Sequence, residues 1–128
     1  MPTENDQAAQ IEMVAQLFAN NVADHSIDLD EAAELTANYR DANSTVPDLT
    51  LGGCFSRAII EDILAQYDSA GNLCSGIRYY SGQDINGTPQ LVLVGVDANG
   101  DDLYEGTLAE RARLSPPSWP SANPLNGL

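Results

Sequence analysis

A chain of 128 residues has room for one domain of ordinary size, with a core that needs no metal or disulfide staple. Its 19 Asp and Glu face five basic residues, all arginine, for a net charge of −14. A field of that sign excludes nucleic acid and anionic membrane as direct partners. The opening MPTENDQAAQ has no basic or apolar signal stretch, and the run Leu91 to Val96 is too short to span a bilayer, so the expected location is cytoplasmic.

Residues 1–7 are polar and expected to be disordered. A helix is expected over 8–23, where Ile11, Val14, Ala15, Phe18 and Val22 recur at three- and four-residue spacing. Asp28 then offers an N-cap, with Glu31 three residues on as in a capping box. Behind it Leu29, Ala32, Ala33, Thr36 and Tyr39 form an inward stripe, and Arg40 suits the helix C-terminus. From Asp41 to Cys54, Val46-Pro47 and Gly52-Gly53 argue for loop. Ser56 is a fitting N-cap for a third helix reaching Tyr67, with Ile59, Ile60, Ile63, Leu64 and Tyr67 on one face. Gly71 suits its left-handed C-terminal cap.

Strands are expected from Leu73 to Ser81, Gln90 to Val96 and Leu103 to Leu108. Between them lie Asn86-Gly87 and Asn99-Gly100, the pair favoured in primed hairpin turns because both residues tolerate positive φ. The middle run is apolar on both faces, which suits the centre of a sheet. Ala109 to Arg113 reads as a short helical turn, and no internal repeat is evident. The segment 114–128 holds Pro116, Pro117, Pro120 and Pro124 and reads as an extended tail. The whole predicts an α+β fold: three N-terminal helices packed on a three-stranded antiparallel meander within one domain, 8–113, followed by the Pro-rich tail.

The order of these pieces carries a resemblance. Ile27-Asp28-Leu29-Asp30-Glu31-Ala32, then Tyr39-Arg40, then the strand Cys74-Ser75-Gly76-Ile77-Arg78-Tyr79-Tyr80 are followed by Val94-Gly95-Val96, Asn99-Gly100 and Asn123-Pro124-Leu125-Asn126. Over about residues 27–126 this resembles a group of small uncharacterised bacterial proteins, mainly from Bacteroidetes. The resemblance implies a shared fold and tail and supplies no activity. Members often carry a Cys-Pro-Pro-φ-Cys element where this chain has Ser115-Pro116-Pro117-Ser118-Trp119, so a redox or metal role for tail cysteines does not transfer.

Several residues could carry chemistry. Cys54 precedes a helix start, whose dipole favours thiolate, and His25, the only histidine, could serve it if Asp24 or Asp28 oriented the ring. Cysteine is also one of the most buried residue types. Asp97, Asn99 and Asp101, with Glu105, supply oxygens that calcium would accept, but an EF-hand needs glycine at position six and glutamate at twelve, where Asp102 and Leu108 stand. Ordinary turn composition explains the same residues. One histidine and two separated cysteines make a poor zinc set. The pairs Asp30-Glu31, Glu61-Asp62 and Asp101-Asp102 read as solvated faces. Arg78 could pair with a carboxylate across the sheet or stack on Tyr80. No phosphate or dinucleotide fingerprint occurs, and no cofactor is expected. Trp119, the only tryptophan, lies between Pro117 and Pro120 and should dock, either on its own domain or in a neighbour's groove. The expected function is a non-enzymatic protein-interaction or assembly module, with self-association or a protein partner. The alternatives are a small Cys54/His25 enzyme and a calcium-stabilised module.

Overall fold

The computed structural model describes residues 25–128, so the expected disordered end and the helix over 8–23 lie outside the described residues. The chain is α+β: α1 (Leu29–Ala42), β1 (Gly52–Cys54), α2 (Arg57–Leu64), β2 (Gly76–Gln83), β3 (Pro89–Val96), β4 (Leu108–Ala109) and β5 (Arg113–Ser115). It divides into two compact units. Among the described residues one spans Phe55–Arg111, and the other joins the segment ending at Cys54 to Ala112–Leu128. The single domain expected over 8–113 differs from this division, because the last segment is paired into the second unit rather than trailing from the first.

In the first unit, Ser56 caps α2 by accepting the Ile59 N–H at 3.4 Å. The helix buries Ile63 completely against Leu93 and Ala109, with Phe55, Ile59, Ile60 and Ile77 packed around them. It stops at Leu64 rather than Tyr67, and Leu64 and Tyr67 are exposed instead of inward. The cause is the next hairpin: Tyr67 bridges to Leu73, which turns the backbone out of the helical path. Gly71, with φ +84°, serves that hairpin and not a helix cap.

The sheet has the order β2-β3-β4, all antiparallel, with Arg78 opposite Val94 and Tyr79 opposite Leu93. β3 is central as its two-sided apolarity requires. Leu93 faces α2, while Val94 and Val96 alternate to the other face and are also buried. Gly95 allows the close approach on the α2 side, since a Cβ there would stand 2.8 Å from Cys74 Sγ and 3.3 Å from Ile63. The third strand is shorter than expected, Leu108–Ala109 instead of 103–108, because Leu103 to Gly106 forms a turn closed by Gly106 N–H on the Leu103 carbonyl at 3.2 Å. Arg113 begins β5, so the short helical turn expected over 109–113 is absent.

The hairpins are not the primed Asn-Gly turns expected. Gly87 and Gly100 take positive φ, but Asn86 and Asn99 do not. The controlling residue is an aspartate three positions before each glycine. Asp84 Oδ1 accepts the N–H groups of Asn86 and Thr88, both at 2.9 Å, and Asp97 Oδ1 accepts those of Asn99 and Asp101, both at 2.9 Å. Asp68 does the same for Ala70 and Asn72, again at 2.9 Å. The flanking pairs Tyr67–Leu73, Gln83–Pro89 and Val96–Asp102 have the same spacing. The first unit therefore contains a repeated Asp-x-x-Gly turn, a repeat the sequence reading misses.

In the second unit Asp28 Oδ1 accepts the Glu31 N–H at 2.8 Å, as the capping pattern predicts. α1 runs to Ala42, and Asn43 closes it on the Tyr39 and Arg40 carbonyls. Its stripe is only partly covered: Ala32, Ala33 and Thr36 are half-buried, and Leu29 and Tyr39 are exposed, as is Leu35 beside them. The expected loop 41–54 ends in β1, which pairs antiparallel with β5, Gly53 opposite Leu114. The segment 114–128 is therefore not an extended tail. It opens in a strand and turns at 116–117 and again at 124–126.

Candidate functional site

The second unit folds around a cavity of about 650 Å³, a size typical of sites that hold a ligand or a peptide segment. Its walls come from α1 (Leu35, Thr36, Tyr39 and Arg40), from Leu51 through Cys54, and from the last segment, where Trp119, Pro120 and Leu125 contribute. Hydrogen bonds fix that last segment in place. Leu51 N–H donates to the Ser115 carbonyl at 2.8 Å and Ser118 N–H to the Leu114 carbonyl at 2.9 Å, while the Ser115 hydroxyl donates to the Ser118 carbonyl. Both bonds of Ser115-Pro116-Pro117 are cis. Asn123 Oδ1 accepts the Leu125 N–H at 2.8 Å, and Asn126 Nδ2 donates to the Ser121 carbonyl at 2.9 Å. From α1, Arg40 reaches over to donate to the Leu125 carbonyl at 2.7 Å, and Tyr39 donates its hydroxyl proton to the Thr50 carbonyl at 3.2 Å.

Two adjacent glycines, Gly52 and Gly53, are among the lining residues. A Cβ on Gly53 would lie 2.8 Å from Ala112 Cβ, so this residue lets β1 and the last segment close up. A Cβ on Gly52 would meet nothing within 4 Å. The rim is apolar and open: Leu35 is 56% exposed, Trp119 46%, Tyr39 43% and Leu125 43%. The charge of the lining departs from that of the chain. It holds Arg40 and Arg113 and no Asp or Glu, in a protein with 19 carboxylates.

Trp119, Pro120 and Cys54 thus come together at the cavity, while Pro117 is not among its lining residues. Trp119 lines a cavity of its own unit and remains 46% exposed. Cys54 lies in β1 opposite Arg113 and is exposed. His25 is exposed and does not line the cavity, so no cysteine–histidine arrangement is centred there. In the first unit Arg78 and Tyr80 converge on one residue. Asp102 accepts from Arg78 at 2.5 Å through one carboxylate oxygen and from the Tyr80 hydroxyl through the other. The Tyr80 hydrogen bond holds the Asp102 carboxyl below the usual carboxylate range; burial opposes it, and the hydrogen bond and charge of Arg78 add to the lowering. The bond to Asp102 in turn holds the Tyr80 phenol and the Arg78 guanidinium above their ordinary values. Asp97 spends its Oδ1 on backbone N–H groups, and among the described residues no group of three or more His, Cys, Asp or Glu could hold a metal ion.

Leu35, Asn123, Leu125 and Asn126 were not singled out by the sequence as site residues. Their signal was faint: the Asn-Pro-Leu-Asn string is a self-bonding turn, and only its contact with Arg40 makes it a wall. Among the described residues no helix is long and apolar enough to cross a membrane. Compared with known proteins, the chain matches no family model, and no curated protein or solved structure is significantly similar to it.

Proposed function

We propose that the protein is a non-enzymatic interaction module whose binding site is the cavity of the second unit, and that the site seats an extended segment of a protein partner. One observation carries this reading. Four large apolar side chains, Leu35, Tyr39, Trp119 and Leu125, stay roughly half exposed around a cavity whose frame is tied by backbone hydrogen bonds and by Arg40 on the Leu125 carbonyl. An open apolar rim on a fixed frame suits a surface that completes itself on binding, and aromatic residues such as Trp119 and Tyr39 are the usual energetic anchors. The resemblance to the small bacterial group supports it from another side. Tyr39-Arg40 and, from the Asn123 to Asn126 string, Asn123, Leu125 and Asn126, which carry that resemblance, contribute to this one cavity.

The test uses Gly52, where a new side chain meets open space and no unusual φ is required. Gly52→Phe should fill the cavity and leave the fold intact, as circular dichroism would verify. Random decapeptides displayed on phage and selected on the full chain should include binders that the Gly52→Phe protein does not retain. If every recovered peptide binds both proteins equally, the cavity is not the binding site.

A further inference from the structure

We infer that the segment taken by this cavity is acidic: an extended peptide of a partner protein with Asp or Glu beside apolar residues. The inference rests on the reading of the cavity as a binding site and adds the chemistry of its occupant.

The arginines carry it. In a chain of net charge −14, carboxylates outnumber basic side chains nearly four to one, 19 to five. Arg57 pairs with Glu61 at 3.4 Å and Arg78 with Asp102 at 2.5 Å. Among the described residues three arginines have no such partner: Arg111, and the two that line the cavity, Arg40 and Arg113. Arg40 gives one N–H to the Leu125 carbonyl, and its guanidinium fork has further donors. Arg113 is exposed on β5 and makes no ion pair there. No acidic residue lines the cavity to neutralise either. The result is a local reversal of sign on an acidic protein, and an arginine fork matches a carboxylate in geometry as well as charge.

The apolar rim decides between a peptide and a small anion. A free dicarboxylate could satisfy the two guanidinium groups but would leave Leu35, Tyr39, Trp119 and Leu125 in water. A segment alternating acidic and apolar side chains covers both. The surrounding field acts as a filter: most acidic chains are repelled, and only one whose carboxylates reach the arginines gains enough to stay.

Trp119, as the only tryptophan, reports on the cavity by its own fluorescence. The selected decapeptides that depend on an open Gly52 should be rich in Asp and Glu. A synthetic binder should change Trp119 emission with an affinity at least tenfold above its Asn/Gln counterpart. Arg113→Gln should weaken the acidic peptide at least fivefold and leave the amide version unchanged. Cavity-dependent binders that are neutral or basic, or acid and amide versions that bind alike, would overturn the acidic assignment and leave the binding site standing. Glutarate alone producing the full emission change with comparable affinity would overturn the peptide. A dimer abolished by Gly52→Phe in light scattering would replace the partner protein with a second copy. No cavity-dependent binder at all would remove both readings.

Discussion

Asp102 is the residue on which the first unit's polar chemistry turns. Its carboxyl is held low by Tyr80 and Arg78, so its contribution is present above the ordinary carboxylate value and is lost as pH falls through the lowered one. The Tyr80 phenol is held high by the same bond, so its contribution is present below the ordinary phenol value and is lost as pH rises through the raised one. The melting-temperature deficit of Asp102→Asn should therefore be widest across neutral pH. It should shrink below about pH 4 and again above about pH 10, and a deficit constant across that range would refute the linkage. Ile63, completely buried, is a simpler case: Ile63→Ala should cost about 2–5 kcal/mol in chemical denaturation, the usual range for a large core truncation. Gly95→Ala tests the opposite fault. Its Cβ would press on Cys74 Sγ and Ile63, and a loss of about 1–3 kcal/mol is expected from overpacking.

Elements differ in how legible they are. The helix starts at Asp28 and Ser56 were readable because a cap is a local event, one side chain and one N–H three residues on. The central position of β3 was readable because burial on both faces leaves a continuous apolar run. The helix end at Leu64 was not, since a hairpin bridge between Tyr67 and Leu73 competes with a helical pattern that looks sound by itself. The turns were placed correctly and their chemistry was misread. Attention to Asn-Gly hides the Asp that precedes it and hides the copy at Asp68, where no Asn precedes Gly71. The distinction is measurable. Asp97→Ala removes two acceptor contacts and should cost about 1 kcal/mol, whereas Asn99→Ala, which leaves the Asp97 bonds in place, should cost far less. Equal losses at the two positions would restore the Asn-Gly account. The pairing of β1 with β5 escaped the sequence altogether. Gly52-Gly53 has poor strand propensity and Arg113–Ser115 runs directly into Pro116-Pro117, so only the contact between the distant segments makes strands of 52–54 and 113–115.

At the scale of the whole molecule, the cavity depends on residues that are far apart in sequence, which is why composition and spacing named Trp119 and Cys54 without placing them together. Arg40 is the tie from α1 to the last turn. Arg40→Met should loosen the 123–126 turn, seen as faster amide exchange at Leu125 and Asn126, with β1 and β5 unchanged. The β1–β5 ladder sets a further condition on the chain. Cys54 stands opposite Arg113, so the ladder closes a loop of roughly 60 residues, and an unfolded loop of that length opposes closure by its entropy. Once Phe55–Arg111 has folded, the same junction joins two ends already held near each other. Refolding should then be ordered in time, with the sheet of the first unit leading and the tryptophan signal arriving last. Slowing the leader with Ile63→Ala should delay the follower in stopped-flow fluorescence, although Trp119 lies in the other unit.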